Sequence, residues 1–301
     1  MRSLGIMLSA LVGTAAALRV SGLENALVRE RKPFDLLTIQ PTYAISDWAA
    51  ARRLMDEYVD VARTSTGCSY CGWTMCESTS QLFVSEAYRD AEAARTQLAN
   101  AAPILKRLLA GPASLELCEL HGPPAELARA ELRAIMPEGT EYFEACAGGY
   151  SFFSKQTGGL MTGQTLCSIK PTYRVSDWDA ASLLVDELLE RAAVEPGCIY
   201  CGVSRSSCGE LLSVRSAHSN AAGLLEHLAN VGAQLAQLAS GPAQLERMEL
   251  HGPPMQIERC KGSAVLDELA GENLRSFVTR GGFQRFEAWS SYVAQPNPEF
   301  G

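Results

Sequence analysis

Along residues 36–43 the stretch LLTIQPTY alternates as a half-buried strand does, with Leu37, Ile39 and Tyr43 on one face. Polar Ser46 and Asp47 follow, Ser46 as a helix N-cap and Asp47 beside the positive helix end. Trp48, Leu54, Tyr58 and Val61 then recur at helical spacing. CSYCGW and QLFVSEAY read as two short strands with a turn between them. Asp90 caps a second helix whose apolar stripe is Ala94, Leu98, Leu105 and Leu108, and Gly111-Pro112 stops it. SLELCELH is a further strand, followed by a short helical piece and a last strand around EYFEA. The order β-α-β-β-α-β predicts a ferredoxin-like split βαβ sandwich, with helices on one face of the sheet and the other face bare.

The same pattern occurs twice. Shifted by 130 residues, the chain aligns with itself without a gap from Ile39/Ile169 to Pro124/Pro254, and about 38 of 86 columns are identical. The shared anchors are PTY and SDW, GCxYCG, LAN, and GPAxLExxELHGPP. Phe143-Glu144-Ala145 aligns with Phe286-Glu287-Ala288 once about thirteen extra residues are allowed in the second copy. A bare apolar sheet must be covered, and a second copy on the same chain offers the cover. The expected architecture is α+β: two tandem ferredoxin-like domains packed sheet to sheet as an intrachain pseudo-dimer, monomeric in solution. Residues 35–148 and 165–290 would be the domains, 149–164 a Gly-rich linker and 291–301 a tail.

The first seventeen residues add a separate expectation. Arg2 precedes an apolar run from Leu4 to Leu18 that ends in Ala15-Ala16-Ala17, which reads as a secretory signal peptide; the competing reading is a buried N-terminal helix. The expected destination is the secretory route or the extracellular space, with a plastid reached through such a leader as the alternative. A net charge of -8 argues against nucleic-acid or anionic-membrane partners, because nothing would neutralise phosphates. No G-x-G-x-x-G, P-loop, nucleophile elbow or H-E-x-x-H occurs.

Two motifs invite metal or thiol chemistry. Both CxxC pairs fall on strands, where positions i and i+3 face opposite ways unless a bulge intervenes, and duplication accounts for their spacing. They read as small strand residues, with a Cys71–Cys76 disulfide left open. Glu119 with His121, and Glu249 with His251, are i and i+2 neighbours on the fourth strand of each copy, aimed at the opposite sheet. A structural hydrogen bond to the adjoining Gly-Pro-Pro loop is the expectation there, and no metal is expected.

The motifs EPGCIY (195–200) and TGCSY (66–70), followed by SEAYRDAEAARTQL and SAHSNAAGLLEHL, resemble the antibiotic-biosynthesis-monooxygenase-like family of the dimeric α/β-barrel superfamily. The resemblance implies a pocket between sheet and helices for a small aromatic or quinone-type molecule, and oxygenase chemistry without flavin or metal. There the protein removes a proton and keeps water out. Haem degradation is disfavoured, because Tyr88 and His218 stand where that branch places a Trp. Position 97/227 lies about 70° from the centre of the apolar stripe at 100° per residue and can reach the cleft. His227, His218 and Tyr173 are therefore the candidate catalytic residues, and Tyr43, Tyr88, Gln97 and Asn230 the candidate substrate-binding ones. Asn230, like Asn100, points off the stripe, which favours a hydrogen bond between helices or to a loop. The alternatives are a non-catalytic module for a small hydrophobic ligand and a purely structural duplication.

Overall fold

In the structure, a computed structural model describing residues 32–33, 36–146, 150–151 and 166–284, ten strands close into a barrel with helices outside. The predicted leader, most of the linker, the tail and Phe286–Ala288 lie outside the described residues. The first half contributes β1 (Leu37–Ile45), α1 (Trp48–Thr64), β2 (Cys68–Cys76), β3 (Gln81–Tyr88), α2 (Ala91–Leu109), β4 (Ala113–Gly122), short α3 (Pro124–Leu127) and α4 (Ala130–Arg133), and β5 (Glu141–Ala145). The second contributes β6 (Cys167–Val175), α5 (Trp178–Ala192), β7 (Cys198–Ser206), β8 (Leu211–His218), α6 (Ala221–Ser240), β9 (Ala243–Gly252), α7 (Pro254–Cys260), α8 (Ala264–Ala270) and β10 (Leu274–Gln284).

Around the barrel the order is β7-β8-β6-β9-β10-β2-β3-β1-β4-β5, and β5 pairs back onto β7. The last strand of each half carries the closure. β5 runs parallel to β4 and antiparallel to β7, while β10 runs parallel to β9 and antiparallel to β2. Among the described residues no sheet edge remains between the halves, which removes the unpaired backbone of an open sheet. The two-residue strand Tyr150–Ser151, inside the expected linker, also pairs with β7.

Local chemistry explains most boundaries. Asp47, not Ser46, is the N-cap of α1, accepting from the Ala50 amide at 3.0 Å, while the Ser46 hydroxyl donates to the Gly111 carbonyl at 3.0 Å. Asp90 and Asn220 cap α2 and α6. The strand register corrects the last part of the sequence alignment. His121 pairs with Phe143 and His251 with Phe277, so Phe277 occupies the place in the second half that Phe143 holds in the first.

Two further expectations are corrected. A register shift between Cys68 and Tyr70 puts Cys68 and Cys71 in the same helix-side core rather than on opposite faces. The shift between Ala217 and His218 does the same for Cys198 and Cys201. Cys71 and Cys76 are separate free thiols, not a disulfide.

The second correction concerns the inner face of the sheet, which is charged rather than apolar. Lys170 and Arg247 both donate to Glu119, and they lie 3.7 and 3.5 Å from Glu249. The Glu–His pairs do not bond the Gly-Pro-Pro loops. The His121 ring meets the Ser204 hydroxyl at 2.8 Å and the His251 ring meets Thr74 at 3.0 Å, each reaching across to the other half. Phe143 and Phe277 stack on the two rings at centroid distances of 4.5 and 4.8 Å. Burial alone would raise both carboxyls, but the nearby cations, Lys170 foremost, hold Glu119 well below the usual range and Glu249 at about 2. Burial pushes His121 down to about 4 and lowers His251, so both rings are neutral at pH 7.

Candidate functional site

The outer face of the second-half sheet meets α5 and α6 across an apolar core that includes Cys201, Val214, Leu224 and Leu228. Into this core project His218, the last residue of β8, and His227 from the second turn of α6, with 0% and 2% exposure. Their ring centroids are 4.5 Å apart, inclined at 40°. Glu195 joins them from the turn between α5 and β7. Its carboxylate accepts from His227 Nδ1 at 2.8 Å and from Asn230 Nδ2 at 2.8 Å. Asn230 also donates to the Arg191 carbonyl at 3.2 Å, which ties α6 to α5 as the sequence suggested.

Two glycines make this approach possible. A Cβ on Gly197 would lie 3.0 Å from the Gly223 Cα, so the Glu-Pro-Gly turn and the first turn of α6 touch backbone to backbone. His227 lies one helical turn beyond Gly223, facing the carboxylate that this turn carries.

The electrostatics fix the protonation of one ring. Burial, reinforced by His227, pushes His218 down to about 2, so it is a neutral imidazole at any physiological pH. Its Nε2 lies 3.0 Å from the Ser216 hydroxyl, and its Nδ1 is buried with no hydrogen-bond partner. On His227, the carboxylate at Nδ1 selects the tautomer that donates there and leaves the Nε2 lone pair free.

Of the seven residues expected to form the site, the structure brings His218, His227 and, through Glu195, Asn230 together. Tyr173 is buried in the same core but pairs with Leu212, whereas His218 pairs with Cys167. Six residues of strand therefore separate Tyr173 from His218, roughly 20 Å at 3.3–3.4 Å per residue. Burial raises its phenol above the ordinary range.

Tyr88 and Gln97 lie in the corresponding cleft of the first half, where the chemistry differs, while Tyr43, paired with Leu82, is as far along the strand from Tyr88 as Tyr173 is from His218. Ser65 stands in place of Glu195 and donates to the Gln97 carbonyl oxygen. Glu86 stands in place of Ser216. Burial raises its carboxyl to about 7 against the pull of the Tyr58 and Cys71 donors, with Cys71 Sγ at 3.8 Å. Burial raises the Tyr43 and Tyr88 phenols as well.

Sequence reasoning missed Glu195, Ser216 and Glu86. Glu195 stands in the quoted EPGC motif, and its signal was a carboxylate next to a Pro-Gly turn that the first copy replaces by Ser65. A shallow cavity of about 70 Å³, lined by Cys146, Trp178, Ser182, Val185, Asp186, Val203 and Leu212, includes none of the predicted residues.

No protein-family model and no curated protein matches the chain. Among solved structures, a monooxygenase-like protein from Fusobacterium nucleatum superposes with a TM-score of 0.50 at 9% identity, over 72% of this chain and 91% of the other. MupZ from Pseudomonas fluorescens is 28% identical over 41% of this chain and 97% of its own, with a TM-score of 0.35. An anthrone oxidase-like protein is 11% identical over 71% of this chain and 92% of its own, with a TM-score of 0.43. The likeness to the Fusobacterium protein speaks for the fold alone: the chain shares that protein's α+β barrel architecture.

Proposed function

We propose that the chain is a monooxygenase-like enzyme acting on a small aromatic or quinone-type molecule in the sheet–helix cleft of its second half. One observation carries this reading: the Glu195 carboxylate, 2.8 Å from His227 Nδ1, orients an imidazole whose neighbour His218 keeps a buried, unpartnered nitrogen. An imidazole held in this way is built to take a proton, and Glu195 stabilises the imidazolium that forms. His218, neutral at all working pH values, cannot donate as a cation and serves to orient the substrate oxygen. The carbanion left behind would pass electrons to dioxygen in a pocket closed to water. No cofactor enters this reaction.

We read the two halves, 35–148 and 165–290, as ferredoxin-like units forming a covalent pseudo-dimer. The strand orders β2-β3-β1-β4 and β7-β8-β6-β9 support this, since each has the same sequence of first, second, third and fourth strands. A second reading, a non-catalytic binder of a small hydrophobic ligand, is favoured by the near-complete burial of both histidines.

Dioxygen uptake by the purified chain, with quinols and anthrones under air and matched samples under argon, separates the two. The enzyme reading expects oxygen-dependent conversion that falls about 10²–10⁴-fold in His227→Ala, the range for losing a general base. Binding without conversion by the intact chain would replace it with the carrier reading.

A further inference from the structure

Glu195, His218 and His227 each offer a ligand atom within 4.8 Å of the other two, the one such group of three or more His, Cys, Asp and Glu residues among the described residues. His218 has the outer partner of a metal-ligating histidine: its Nε2 faces the Ser216 hydroxyl at 3.0 Å, and its Nδ1 is buried with no hydrogen-bond partner. His227 Nδ1 faces the Glu195 carboxylate at 2.8 Å, so an ion that replaces the proton between them is bound by both.

We infer that this cluster binds one divalent transition-metal ion, with His218 and His227 as nitrogen ligands and Glu195 as the carboxylate. Two imidazoles and one carboxylate suit zinc, iron, cobalt or nickel, whereas magnesium and calcium favour all-oxygen sets. Bonds of about 2.0–2.1 Å allow opposite donors to lie no more than about 4.2 Å apart, so the ion draws the group slightly together.

Among the described residues the other candidate donors do not converge in this way. In the first half Ser65, Tyr88 and Gln97 replace all three ligands. In the barrel interior Lys170 and Arg247 hold the carboxylates, and although His121 and His251 each keep an Nε2 without a hydrogen-bond partner, no group of three ligand atoms converges there. One site per chain follows. The inference goes beyond the proposed reaction: a bound ion engages His227 Nδ1 and Glu195, the contact that orients the proposed base, so it inhibits a cofactor-free turnover.

The test is titration of the intact, chelator-treated chain with cobalt(II), followed by calorimetry and visible absorption. One ion per chain is expected, with the spectrum of nitrogen and oxygen ligands. His218→Ala and His227→Ala should each abolish that signal, and Glu195→Gln should weaken binding about 10–100-fold. The double variant His121→Asn/His251→Asn should bind as the intact chain does. If His227→Ala does not fold, Ser216→Ala serves instead, keeping all three ligands while loosening His218; it should weaken binding about 10-fold or more. Absence of binding, binding that survives both His218→Ala and His227→Ala, or a spectrum dominated by thiolate charge transfer would each overturn the inference. None of these results alters oxygen uptake by the metal-free chain, so this inference and the proposed function can fail separately.

Discussion

The four histidines of the chain are all buried, in two environments that use the same residue types differently. In the barrel interior, His121 and His251 each stand beside a glutamate, but Lys170 and Arg247 claim the carboxylates. Cross-half hydroxyls and stacked phenylalanines hold the rings. In the second-half cleft Glu195 pairs with an imidazole and an amide, and the adjacent ring keeps a nitrogen without a partner. A carboxylate beside a histidine is therefore not itself a reactive site. What distinguishes the two places is what sits on the carboxylates, Lys170 and Arg247 in the interior against an imidazole and an amide in the cleft, since His121 and His251 also keep an Nε2 with no hydrogen-bond partner. The interior pairs also occur in both halves, as an element joining the halves should, whereas the cleft pair occurs in one.

The largest effect expected from breaking this contrast is in the interior. Lys170→Met leaves Glu119 and Glu249 buried with Arg247 as their main cation, and should cost about 3–5 kcal/mol, the usual result of removing one partner of a buried ion pair. Urea unfolding of the variant against the parent chain measures it.

Acid should come next. His121 titrates at about 4 and His218 at about 2 in the folded chain, both below the unfolded value near 6.5. Above pH 6.5 neither group contributes to the pH dependence. As pH falls below 6.5 the unfolded state takes up protons that the folded state refuses, so stability falls. Replacing His121 by Asn should remove one proton's worth of slope between about pH 6.5 and 4. Replacing His218 by Asn should remove one over a range that continues to lower pH. Glu249, held at about 2, adds a further loss as pH drops through about 4.5 toward 2, because its charged form is the one the fold favours. Unfolding free energies measured from pH 7 to pH 3 separate these contributions.

The smallest effect should come from the hydroxyls that satisfy the interior rings. Thr74→Val leaves His251 Nδ1 without its partner, at a cost of about 1–3 kcal/mol and with no change in oxygen uptake. Thermal or urea unfolding, run beside the uptake assay, reads both.

Much of the fold was legible in the residues, because alternation and helical spacing repeat at 130 residues and leave few other assignments. The last strand of the second half was not. An identical Phe-Glu-Ala triplet at 286–288 outweighed Phe277, whose equivalence to Phe143 appears only in its parallel pairing with β9. The polar interior was hidden too, because Lys170, Glu119 and Glu249 are single charges in otherwise apolar strands and only barrel closure brings them together. In the site, helical phase placed His227 and strand phase placed His218. Glu195 depends on a close approach of Gly197 to Gly223 that no local pattern announces. Tyr173 shared the correct face but lay at the wrong end of its strand.

The most direct test of the whole contrast is one assay on four single variants, His121→Ala, His218→Ala, His227→Ala and His251→Ala, recording oxygen-dependent turnover and unfolding midpoint for each. The account predicts that the two cleft variants lose turnover while remaining folded, and that the two interior variants lose stability while retaining turnover below their midpoints. Turnover that survives in His227→Ala, or that disappears in a folded His121→Ala, would contradict it.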